Sequence, residues 1–258
     1  FNDSLRGSVT KESAHVSDNI APCMAAAEYQ HRSGRDLLLA IVLAYEINIR
    51  LCDAASLGEW DHVNYYLVSM ALAAGKLLGL SKKALAQAVN ISMNSHIAMK
   101  QTRTGVISMW KSGAAANAGR NAIFSALIAK EGITGPSPVF EGDRGFFKQV
   151  TGPFELDVKQ FGGRGRKFRI LDTSLKFYPA EGNAQTAISA ALEVRKEVQN
   201  PATDIVSVLV ETTARGYKEI FAVLSHEERW APTTKESADH CLPFIVAMAL
   251  LKGTIDNS

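Results

Sequence analysis

Apolar positions in this chain follow two regimes. Up to about residue 132 they recur every three to four residues, the period of a helix that buries one face. Ser17 or Asp18 reads as the N-cap of a helix reaching about Arg32, with Gly34 as its stop. Asp36 opens the apolar run Leu37–Leu51, Trp60–Leu80 repeats the pattern, and Ser81 caps a helix from Lys82 to about Met99. Ser112–Lys130 is dense in Ala and ends at Gly132. Small residues on many faces let helices approach closely, so this region predicts a tight bundle.

The pattern breaks after Gly132. Pro136, Pro138, Gly142, Gly145 and Gly152 interrupt helical continuity, and Phe161–Arg166 reads as a mobile hinge or loop. Beyond Phe168 the style is mixed. Ala184–Gln199 predicts a helix, the β-branched segment Ile205–Glu211 a strand, and Ala238–Leu251 a helix entered through Ser237 and Asp239. The expected fold is therefore mostly α: a helical domain over residues 1–169 and a smaller α+β lid domain over 170–258.

Composition removes several classes. Of 258 residues 47% are hydrophobic and 21% charged, with a net charge of +2. That balance suits a full core, and the short basic run at Arg164–Arg169 is no nucleic-acid stripe. Cys23, Cys52 and Cys241 are far apart, which disfavours a disulfide scaffold or an iron–sulfur cluster and fits a cytoplasmic setting. The apolar run at Leu37–Leu51 is too short and too polar to span a bilayer. No metal motif, P-loop or GxSxG is present. The chain starts at Phe1 without Met, and both ends read as cut.

The candidate chemistry lies at helix starts. Lys176 precedes the Tyr178-Pro179 turn and the helix after Gly182, where unpaired N–H groups and an ammonium suit a carboxylate or phosphate. Taken alone the local pattern favours a surface Lys before an ordinary helix start. Lys111 occupies a second helix start, shortly after Arg103. His15 stands beside Asp18 at another, either as a capping-loop residue or as a proton-transfer group. His240 follows Asp239 and reads as an anion contact or part of a cap. His31, His62, His96 and His226 read as surface or packing residues.

Five stretches in order carry a resemblance: Phe1–Ser4, His15–Asn19, Trp110–Arg120, Lys176–Glu181 and Ala238–Pro243. The chain resembles the 2-methylcitrate dehydratase family, also called MmgE/PrpD. The resemblance implies a helical domain with an α+β lid, action on small di- and tricarboxylates, and no metal or organic cofactor. It places His15, Lys111 and Lys176 as catalytic residues in a pocket between the domains. Asp3, Ser4, Arg103, Glu181 and His240 are expected to bind substrate.

The expected activity is dehydration of 2-methylcitrate to 2-methyl-aconitate, in propionate catabolism. Related activities are decarboxylation of cis-aconitate and epimerisation of a dicarboxylate; a non-catalytic truncated member is a further reading. Glu181 stands where the family's decarboxylases have His, which argues against decarboxylation. Ser4 stands where relatives commonly have Thr, and Phe244 where they often carry an aromatic hydroxyl. The partners expected are a small carboxylate and a second copy in a homodimer, with no nucleic acid and no membrane. Family members are longer at both ends, so the chain is expected to be an interior fragment.

Overall fold

A computed structural model of the chain describes residues 3–4 and 10–256, and among these the protein is mostly helical. It divides into two compact units: Asp3–Lys100 with Gly113–Ser174, and Gln101–Ser112 with the chain from Leu175 onward.

The first unit is built on five helices: α1 (Ile20–Tyr29), α2 (Gly34–Ala54), α3 (Tyr66–Leu77), α4 (Lys82–Ser95) and α5 (Trp110–Lys130), of which α5 joins this unit from Gly113 onward. Helix α3 is the centre: α1, α2 and α4 all pack on it. Its sequence explains the position, since Tyr66, Met70, Ala71, Ala74 and Leu77 leave almost no polar face and are all buried. Close approach depends on missing side chains. A Cβ on Gly119 of α5 would lie 2.7 Å from Pro22 Cγ, closer than a Cβ tolerates.

Two helix starts differ from the expected ones. Gly34 does not stop a helix but begins α2, because Ser33 and Asp36 form a reciprocal capping box across that point. Asp36 is thus the third residue of the helix rather than its opener. Helix α1 follows a 3₁₀ turn, Val16–Asn19, and its N-cap position falls on Asn19, whose side chain makes no capping bond, rather than on Ser17 or Asp18. Ser81 does cap α4, accepting from the Ala84 N–H at 3.2 Å.

Phe161–Arg166 is tied down rather than hinged. The buried carboxylate of Glu46 accepts from Arg50 Nε at 2.9 Å, from the Gly162 N–H at 2.8 Å and from the Arg169 N–H at 2.7 Å. Three charge-assisted bonds satisfy a group whose burial alone would be costly.

In the second unit, α6 (Gln185–Arg195) packs against the last helix, Leu242–Lys252, around Ile188, Ala191, Ile245, Val246 and Ala249. The segment Gln101–Ser112 joins this unit through backbone bonds: Gly105 donates to Val223 O at 3.0 Å, and Ser225 donates to Gly105 O at 3.2 Å. The strand expected at Ile205–Glu211 has no ladder partner among the described residues, and Val206 and Leu209 are 97% and 88% exposed. The α+β character expected of this unit therefore does not show among the described residues. The described sheet is two-stranded, Asp3–Ser4 with Ser174–Leu175. Among the described residues no helix is long and apolar enough to cross a membrane.

Candidate functional site

Lys111, Lys176, Arg103, Glu181 and His240 all fall in the second unit. Lys111 projects from the first turn of α5, with Nζ 3.3 Å from His240 Nδ1. His240 lies in a turn because the helix expected from Ala238 is broken. A short helix, Lys235–Ala238, is started by a Thr234/Ser237 capping box, and the final helix begins only at Leu242, with Pro243 in its first turn. Asp239, His240 and Cys241 fill the gap, so neighbouring side chains can turn toward each other. Asp239 Oδ1 meets His240 Nδ1 in a hydrogen bond.

The Asp239 carbonyl is itself held, accepting from the Glu181 N–H at 3.0 Å. Ser112 Oγ donates to Glu236 Oε1 at 2.7 Å, which fixes the neighbouring turn of α5 relative to the short helix.

The electrostatics are crowded. Burial pulls the Lys111 ammonium down from an ordinary value of 10.5 to about 8; Asp239 and Glu181 oppose this, while Arg103 and Lys176 push further down. His240 is also lowered, chiefly by burial, with Asp239 opposing and Lys111 and Lys176 adding to the shift. Its imidazole is therefore held neutral near pH 7. Burial raises the Glu181 carboxyl, against the bonds from Asn183 and the field of Lys176.

The turn between Lys176 and α6 is organised by one side chain. Gln185 Oε1 accepts the Phe177 and Tyr178 N–H groups, each at 2.9 Å, while its Nε2 donates to Tyr178 O at 3.1 Å. The helix start that reads as an anion perch is answered from within. Glu181 caps the 3₁₀ turn Gly182–Ala184 by accepting the Asn183 N–H, and Asn183 Nδ2 donates to Glu181 Oε1 at 3.0 Å. The positive charges that act at Lys111 and His240 are side chains, with Lys176 and Arg103 acting on Lys111, rather than that helix end.

His15 belongs to the first unit. Its main chain is clamped by Tyr66, whose Oη accepts from His15 N and donates to His15 O, both at 3.0 Å. Its ring stands edge-on to His62, with centroids 5.5 Å apart, and His62 in turn packs on Tyr66. The side chains of Asp3 and Ser4 lie outside the described residues, as do Phe1 and Asn2. No group of three or more His, Cys, Asp or Glu is placed to hold a metal among the described residues. All three cysteines are free and buried.

Sequence reasoning passed over Asp239, although the Asp-His pair was its signal. It also passed over the His15–His62 contact, for which spacing gives no sign.

Fold and chemistry together define a helical protein with a crowded cationic cluster around a carboxylate-backed histidine. Residues 1–159 match the MmgE/PrpD N-terminal domain and residues 178–258 the MmgE/PrpD C-terminal domain. The chain belongs to the MmgE/PrpD family. It is 26% identical over 279 residues to the 2-methylcitrate dehydratase of Salmonella typhimurium, covering 99% of this chain and 54% of that protein. It is 27% identical over 278 residues to that of Cupriavidus necator, with the same coverage of each. The mitochondrial 2-methylcitrate dehydratase of Yarrowia lipolytica is 26% identical over 274 residues, 99% of this chain and 50% of that protein. The chain spans about half the length of the curated relatives it matches.

Proposed function

We propose that this chain carries the carboxylate-handling part of a cofactor-independent hydro-lyase that dehydrates a small tricarboxylate, 2-methylcitrate to 2-methyl-aconitate. The observation that carries the reading is Lys111, an ammonium crowded by burial and by Arg103 and Lys176. An anionic substrate relieves that crowding, so the cluster favours carboxylates. The activity for which these relatives are named supplies the substrate class.

The chemistry follows from charge. Removing a proton next to a carboxylate builds a second negative charge on that group, and preorganised cations stabilise it best. Lys111 and Lys176 hold substrate carboxylates and take up the developing charge, and Arg103 adds to the field. His240 contacts substrate. Glu181 shapes the turn that carries Lys176.

The test is to incubate the protein with 2-methylcitrate, citrate and cis-aconitate and to identify the products. An alkene and water are expected from the first. Lys176→Ala is expected to lose most turnover while keeping its circular dichroism and unfolding midpoint. Full activity in a folded Lys176→Ala variant would overturn the anion-site reading. Carbon dioxide release, or exchange of an α-proton with solvent and no alkene, would overturn dehydration.

A further inference from the structure

The dehydration reading leaves open which group takes the proton. That proton sits on the carbon next to a carboxylate, so its acceptor must lie beside the cation that holds the carboxylate. If Lys111 is that cation, the described imidazole that meets the condition is His240, 3.3 Å away.

Asp239 decides which way this imidazole faces its proton. Nδ1 has one in-plane position for a hydrogen or a lone pair. Asp239 Oδ1 and Lys111 Nζ both face that one atom. An ionised carboxylate beside Nδ1 requires hydrogen there, since two lone pairs repel. Nε2 is then left with the lone pair, and it forms no hydrogen bond among the described residues. With the Nδ1 position satisfied by Asp239, the Lys111 protons are directed elsewhere.

We propose that His240 is the general base of the proposed dehydration and that Asp239 is its positioning residue, fixing the tautomer that presents Nε2 to substrate. The step balances within the site. The C–H bond next to the carboxylate breaks and its proton forms an N–H bond at Nε2. The electron pair is held as an enediolate on the carboxylate bound by Lys111. As the double bond forms, the C–O bond breaks, and the imidazolium returns its proton to the departing hydroxyl, giving water. Asp239 stabilises the imidazolium in between, as the carboxylate of a His–carboxylate pair does.

This assignment rests on the dehydratase reading, and two measurements separate their failures. The first needs no turnover: nitrogen-15 spectra of histidine-labelled protein, with His240→Gln to assign the signal. His240 is expected as the Nδ1–H tautomer in the wild type and shifted to Nε2–H in Asp239→Asn, whose amide donates where the carboxylate accepted. Nε2–H in the wild type, or no change in Asp239→Asn, overturns the positioning role.

The second is turnover of 2-methylcitrate across pH. His240→Gln is expected to lose roughly a hundredfold or more in kcat. Asp239→Asn is expected to lower kcat by a similar factor with KM little changed, and to move the acidic limb of the profile. A folded His240→Gln variant with near-normal kcat overturns the base assignment while leaving dehydration intact. If the wild type dehydrates no carboxylate, the function and the base assignment fall together, and the spectra alone then decide what Asp239 does.

Discussion

Replacing Lys111 with Met tests the crowded-cation argument without any substrate. The fall from 10.5 to about 8 means the folded chain holds the ammonium less well than the unfolded chain does. At 1.36 kcal/mol per pH unit, this is about 3 kcal/mol of destabilisation whenever Lys111 is charged in both states. Met keeps the length and the apolar stem, and it loses the polar contacts of the ammonium, worth about 1 kcal/mol. Lys111→Met is therefore expected to be more stable than wild type at pH 7 by about 1–3 kcal/mol, with turnover lost. Between pH 8 and 10.5 the unfolded chain binds the extra proton, so wild-type stability rises with pH across this window. The advantage of the variant should shrink over the same window. Urea unfolding of both proteins at pH 7, 8.5 and 10 reads this difference, and other lysines cancel in the comparison. A variant less stable than wild type by the same amount at every pH would show that Lys111 bears no desolvation burden.

Three further outcomes are expected. The kcat/KM for 2-methylcitrate should be bell-shaped: the acidic limb lies below the ordinary histidine value because His240 must be neutral, and the basic limb falls near the free-enzyme value of about 8 at which Lys111 loses its charge; a flat profile from pH 6 to 9 would contradict it. Glu46→Ala should destabilise by about 3–5 kcal/mol, because Arg50 and the Gly162 and Arg169 N–H groups lose their shared acceptor; a urea midpoint within experimental error of wild type would show the loop is held by other contacts. His15→Ala should change the unfolding midpoint little, since the Tyr66 clamp is to its main chain, and with His240 taking and returning the proton its turnover should stay within about tenfold of wild type; a loss of roughly a hundredfold would give the proton step to His15.

Helices were legible because their signal is local and repeated. The apolar period of Leu37–Leu51 and Trp60–Leu80 and the Ser81 cap are carried by neighbours in sequence, and they appear as α2, α3 and α4. Helix ends were less legible where two signals compete. Gly34 reads as a stop, yet the Ser33–Asp36 box spans it and outweighs the cost of glycine at a first helical position. The strand at Ile205–Glu211 shows the limit of β-propensity. Val206, Val208 and Leu209 suit a pleated surface, but a strand exists only through a neighbour, and the described residues provide none.

The same contrast governs the candidate site. Lys111 and Lys176 stand out because each precedes an evident helix, and a cation at a helix start is a local feature. What they face is not local: 128 positions separate Lys111 from Asp239 in sequence, and only the fold sets one beside the other. The apolar pattern of the last helix hid the reason. Read as one helix from Ala238, it places Asp239 in the first turn, where an acidic residue needs no explanation beyond the macrodipole. The Thr234/Ser237 box starts a separate short helix, the final helix waits for Leu242, and the freed turn lets carboxylate and imidazole meet. If His240 is the base, the break between those helices is the feature that makes it one, because an unbroken helix would direct these adjacent side chains to different faces.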